Sequence, residues 1–149
     1  MAELERVLLP ERQSRRQKTL VLHGLGGIGK TQLAVEFARQ YHYKFSAVFW
    51  RDGRSEDSLM RSIANSATRI PEGQVSKSSR TFSIDNISDI NIVVQEVIGW
   101  LSQQDNTDWL LIFDNVDRDY SHHNSDPDAY DARRYFSSAD HGSVLSQLD

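Results

Sequence analysis

The chain has 149 residues, 38% of them hydrophobic and 26% charged, with a net charge of −4 and a mean hydropathy of −0.55. This describes one polar globular domain with a real core, not two domains. The negative balance gives no electrostatic case for nucleic acid or an anionic membrane as partner, and the absence of cysteine excludes disulfides and thiolate chemistry.

Residues 1–6 lack the apolar core of a secretory signal and no apolar run approaches a membrane span, so a cytoplasmic or nuclear protein is expected. Residues 2–9 predict a short helix with Leu4 and Leu8 one turn apart, closed by Pro10. Residues 11–18 are a polar connector carrying Arg12, Arg15, Arg16 and Lys18; no aromatic residues interleave them, which favours a solvated lead-in over a nucleic-acid patch. The organisation expected is therefore an N-terminal helix and basic connector over 1–18, then a single domain over 19–149.

Thr19-Leu20-Val21-Leu22 predicts a strand, and Gln32-Leu33-Ala34-Val35-Glu36-Phe37-Ala38 a helix. Between them lies Gly24-Leu25-Gly26-Gly27-Ile28-Gly29-Lys30-Thr31, and strand, glycine loop and helix in that order are the context of a phosphate-binding P-loop. A polyphosphate is cradled only where backbone N–H groups converge on it, so the chain must come close without side chains in the way. The helix beginning near Lys30 aims its free N–H groups and positive dipole end at the same anion. The phosphate-binding set expected is Gly24, Gly26, Gly27, Ile28, Gly29, Lys30, Thr31 and Gln32, with Lys30 reaching the β/γ-phosphates and the Thr31 hydroxyl on Mg²⁺.

Leu33, Phe37 and Tyr41 share a helical stripe beside Ala34 and Ala38, which suggests close packing on a sheet. Ser46-Ala47-Val48-Phe49-Trp50 predicts a buried strand ended by Asp52-Gly53. Ser55 is a candidate N-cap, with Glu56 and Asp57 suited to a first turn, for a helix carrying Leu59, Ile63, Ala67 and Ile70 and stopping before Pro71. Residues 71–88 predict a flexible surface loop. Ser88 then caps a helix with Ile90, Val93, Val97 and Leu101 on one face, Trp100 beside them serving packing.

After a turn at 105–108, Trp109-Leu110-Leu111-Ile112-Phe113-Asp114 is a continuous apolar strand ending in aspartate. Downstream of a P-loop, such a carboxylate lies beside the phosphates and holds Mg²⁺, usually through water. Asp114 is thus expected to be the catalytic carboxylate and, with Thr31, the metal-binding residue. Region 118–143 is polar. His122, His123, Asp126 and Asp128 match no zinc spacing there, which favours a loop. Residues 142–149 read as barely a strand.

The loop from Gly24 to Thr31 with Gln32-Leu33-Ala34, the Ala47-Val48-Phe49-Trp50 strand, and Leu110-Leu111-Ile112-Phe113-Asp114-Asn115-Val116-Asp117 resemble the NB-ARC nucleotide-binding domain of NOD-like receptors and plant disease-resistance proteins, within the STAND class of NTPases. The versions of filamentous fungi are most similar. The resemblance implies a P-loop NTPase three-layer α/β sandwich with a mainly parallel sheet, ADP/ATP and Mg²⁺ as ligands, and a role in innate-immune signal transduction. NLR-type protein partners or self-assembly are implied as well, without nucleic acid or membrane.

The chain departs from that pattern in three places. The adenine-contacting segment that usually opens the domain lies before residue 1. The second acidic residue that many members carry after the strand-end aspartate is Asn115, and Asp117 would point differently. Gly142-Ser143-Val144-Leu145 passes straight to Ser146-Gln147-Leu148, so the arginine of the family's Thr-Thr-Arg sensor has no counterpart; Arg133 or Arg134 are the substitutes within reach in sequence.

In this class the sensor strand lies between the P-loop and aspartate strands, and a shortened one would open the middle of the sheet. The expectation is therefore a truncated domain, incomplete at its C-terminal end, that binds nucleotide with little or no hydrolysis and is at most a very slow ATPase. The alternatives are a P-loop phosphotransferase and a non-catalytic interaction remnant of a receptor.

Overall fold

Apolar runs separated by helical stretches pair in parallel through crossover connections. The computed structural model, which describes residues 2–9, 16–23, 29–80, 90–103, 105–114, 135 and 141–148, shows this arrangement. The elements are α1 (Ala2–Leu8), β1 (Lys18–His23), α2 (Lys30–Tyr41), β2 (Ala47–Asp52), α3 (Glu56–Asn65), α4 (Lys77–Arg80), α5 (Ile90–Leu101), β3 (Trp109–Asp114) and β4 (Ser143–Leu148). The four strands form one sheet in the order β1-β4-β3-β2, parallel throughout. Their carboxyl ends therefore share one edge, where open α/β sheets bind ligands.

Alternation along the strands divides the core into two layers. Phe49, Trp109, Leu111, Phe113 and Val144 face α3 and α5, meeting Leu59, Ile63, Val93, Val97 and Leu101. Leu110, Ile112, Leu145 and the partly buried Leu20 and Leu22 face the other way, against Leu4, Leu8, Ala34 and Phe37. The described residues thus form a three-layer α/β/α arrangement, and none of their helices is long and apolar enough to cross a membrane.

The local signals act as the sequence implies. Ser55 Oγ accepts the Ser58 N–H at 3.0 Å, and Glu56 and Asp57 occupy the first turn of α3. Ala67 and Ile70 continue its buried stripe through a 3₁₀ turn at Ser66–Arg69, ending before Pro71. Trp100 is buried and donates to Gln74 Oε1 at 2.6 Å, a packing role.

Two expectations are corrected. Residues 71–80 are not an open loop: the Glu96 carboxylate on α5 accepts from the hydroxyls of Ser76 and Ser79, and α4 is held against α5. The candidate cap Ser88 lies outside the described residues.

The larger correction concerns β4, which is a full strand in the middle of the sheet, paired to β1 on one side and β3 on the other. The middle of the sheet is closed where a gap was expected. The serines that made the segment look polar are buried: Ser143 Oγ donates to Leu8 O at 2.6 Å, and Ser146 is 4% exposed beside the fully buried Val144 and Leu145. A hydrogen-bonded hydroxyl costs little to bury.

Candidate functional site at the carboxyl edge of the sheet

Helix α2 starts against its own intrinsic preferences. Its first residue is Lys30, which is 8% exposed; no acidic residue occupies the first turn, and Gly29 supplies no side-chain cap. A cation at a helix N-terminus opposes the macrodipole, and burial adds to the cost. Helix α3, with its serine cap and two acidic residues, shows what this sequence does at an ordinary helix start. A local rule broken in this way marks a functional position more often than a structural one.

Gly29 holds φ 84°, ψ −18°, a left-handed conformation that side-chain-bearing residues rarely adopt. Its carbonyl accepts the Leu33 N–H at 2.8 Å, so the loop runs directly into the first helical turn. Thr31 follows, partly buried, and Gln32 points out to solvent. Of the expected phosphate-binding set, Gly29, Lys30, Thr31 and Gln32 are thus placed at one helix start. Gly24, Gly26, Gly27 and Ile28 lie outside the described residues.

The sheet brings the second half of the site to this helix. Thr31 Oγ1 donates to Asp114 Oδ1 at 3.2 Å, joining positions 83 residues apart. Asp114 terminates β3 on the face of Leu110 and Ile112, the face covered by α2. Its backbone carbonyl accepts the Gly53 N–H at 2.6 Å, which ties the end of β2 to the end of β3. A hydroxyl and a carboxylate as neighbours are hard oxygen donors that suit Mg²⁺, an ion that usually keeps several waters and is bound through one or two carboxylates plus phosphate oxygens. Among the described residues no group of three or more His, Cys, Asp or Glu could hold a metal ion.

Sequence reasoning missed Asp52 and Arg54. Asp52 was read as a strand terminator, yet it pairs in register with Asp114 at the same edge. The Arg54 guanidinium forks onto the Asp52 carboxylate, Nη2 to Oδ2 at 2.7 Å and Nε to both oxygens at 3.1 Å. That hydrogen bond, the charge of Asp52 and the more distant charge of Asp114 together raise the Arg54 pKa above its ordinary value. The signal was available: β2, like β3, is an apolar strand that ends in aspartate. Asn115, Asp117, Arg133, Arg134 and the histidine pair at 122 and 123 lie outside the described residues.

Comparison of the chain with protein-family models, curated proteins and solved structures found no match.

Proposed function

We propose that this protein is a nucleotide-binding switch module that takes ADP or ATP with Mg²⁺ at the carboxyl edge of its sheet and turns it over slowly or not at all. The observation that carries the reading is the contact of Thr31 with Asp114, which joins a glycine-loop helix start to a strand-end carboxylate. Lys30 neutralises the terminal phosphates, and the uncapped start of α2 presents its N–H groups to them. Thr31 and Asp114 would hold the metal, which would supply neutralisation of phosphate charge.

Slow turnover follows from what orients water and stabilises developing charge. Asn115, which follows the strand-end aspartate, cannot act as a carboxylate base. The position of β4 between β1 and β3 is the one that the NB-ARC resemblance gives its sensor strand, and this supports placing the module in an NLR-like, cytoplasmic signalling ATPase. In such a protein, exchange of diphosphate for triphosphate would bias a closed against an oligomerising state.

The test is Asp114→Asn, with nucleotide binding followed by calorimetry. Mg²⁺-dependent ATP binding should weaken while ADP binding in EDTA stays nearly intact. Equal losses with and without metal would make Asp114 a structural residue and remove the main support for the reading.

A further inference from the structure

Residues Asp52 and Arg54 lie at the carboxyl edge of the sheet, at and just beyond the end of β2. Asp52 and Asp114 are the last residues of neighbouring parallel strands and pair in register, so their backbones lie about 4.8 Å apart. Val48, four residues before Asp52, packs with Leu110 and Ile112. By the alternation of the strand, Asp52 therefore belongs to the face that carries Asp114 and Thr31.

The chain then leaves the sheet through Gly53 and turns back. The Arg54 N–H donates to Asp52 Oδ1 at 3.2 Å, and its side chain forks onto the same carboxylate. A bidentate fork fixes a guanidinium in direction as well as position. The Arg54 side chain stays 69% exposed, so a ligand at the edge can reach it. Its charge is also held by the field of Asp114, which places it within electrostatic reach of the carboxylate that holds Thr31. Exposed ion pairs add little to folding; what this one fixes is the location of a positive charge.

We propose that Arg54, positioned by Asp52, reads the terminal phosphate of the bound nucleotide, so that the site tells a triphosphate from a diphosphate. The inference rests on the nucleotide-binding reading above and assigns a phosphate-reading cation to the turn that follows β2. The chemistry fits: a guanidinium matches two phosphate oxygens at once, and a triphosphate carries a terminal phosphate that a diphosphate lacks. Asp52 is a positioning residue here, since it acts through Arg54.

The experiment measures the affinities of the purified chain for Mg²⁺–ADP and for the Mg²⁺ complex of a non-hydrolysable β,γ-imido analogue of ATP. Arg54→Gln should weaken the triphosphate analogue by about tenfold, the worth of one charge-assisted hydrogen bond, and change ADP binding by less than about twofold. Arg54→Lys keeps the charge without the fork and should recover part of the loss. In an Asp52→Asn background the guanidinium loses its anchor, and Arg54→Gln should then alter the triphosphate-to-diphosphate ratio by less than about threefold.

A turn-stabilising role would leave that ratio unmoved. If Arg54→Gln weakens both nucleotides equally, or neither, the inference is overturned while the binding site stands. If the wild-type chain binds neither nucleotide, the underlying reading fails first and takes this one with it.

Discussion

Gly142→Ala should unfold this protein more readily than the same methyl addition at Gly29, Gly73 or Gly99. Gly142 immediately precedes β4 at φ +89°, and a Cβ there would lie 2.3–2.5 Å from three atoms of the Trp109 ring. The ring has nowhere to go. It is fully buried, its N–H donates to Leu101 O at 2.9 Å, and His141 packs edge-on at 6.0 Å. Moving the backbone instead would strain the bond from Lys18 N–H to Gly142 O, 2.9 Å long, which begins the β1–β4 ladder.

A left-handed conformation costs a side-chain-bearing residue about 1–2 kcal/mol, and overpacking a filled core costs about 1–3 kcal/mol. The substitution should therefore destabilise by about 2–5 kcal/mol, or lower Tm by roughly 4–20 °C for a chain of this size. Urea and thermal unfolding followed by circular dichroism measure it. Gly99→Ala is the internal control: nothing lies within 4 Å of the added methyl, and the helix interior of α5 should gain about 0.5–1 kcal/mol. A Gly142→Ala protein within about 0.5 kcal/mol of wild type would refute the argument that this turn sets β4 in the centre of the sheet.

Other outcomes follow from the same structure. Arg51 is 2% exposed, with Nη2 lacking a hydrogen-bond partner among the described residues; burial, then the nearby Arg69, lower its pKa to about 9, so it is charged at neutral pH. Arg51→Met should keep the packing over Phe49 and raise stability by about 1 kcal/mol or more at pH 7; a loss of that size would show that the charge is well compensated. Phosphate release from Mg²⁺–ATP should fall far below the roughly 1–100 s⁻¹ of kinases, and several turnovers per minute that vanish in Lys30→Ala would contradict the slow-switch reading.

The fold was legible wherever apolar spacing was strong. The stripe Ile90, Val93, Val97 and Leu101 and the run Trp109 to Phe113 all went to the core. It was illegible where burial is achieved by hydrogen bonding. Ser143 and Ser146 concealed a central strand, and three serines about α4 concealed a segment pinned by Glu96. At the site, the glycine loop and Asp114 announced themselves by motif. Asp52 and Arg54 did not, because their relevance depends on β2 pairing with β3 in a register that puts two strand-end carboxylates side by side. The strand-end aspartate was visible locally, but the pairing that gives it meaning was not.

Nucleotide binding by wild type and Lys30→Ala, measured by titration calorimetry with Mg²⁺ present and folding checked by circular dichroism, tests the central claim most directly. Lys30 begins α2 beside the residue that touches Asp114. Its removal should cost a charge-assisted contact of about 1.5–3 kcal/mol, or roughly 10- to 150-fold in affinity for ADP and ATP. A wild-type chain that binds neither nucleotide, or a folded Lys30→Ala chain that binds both as tightly as wild type, would contradict it.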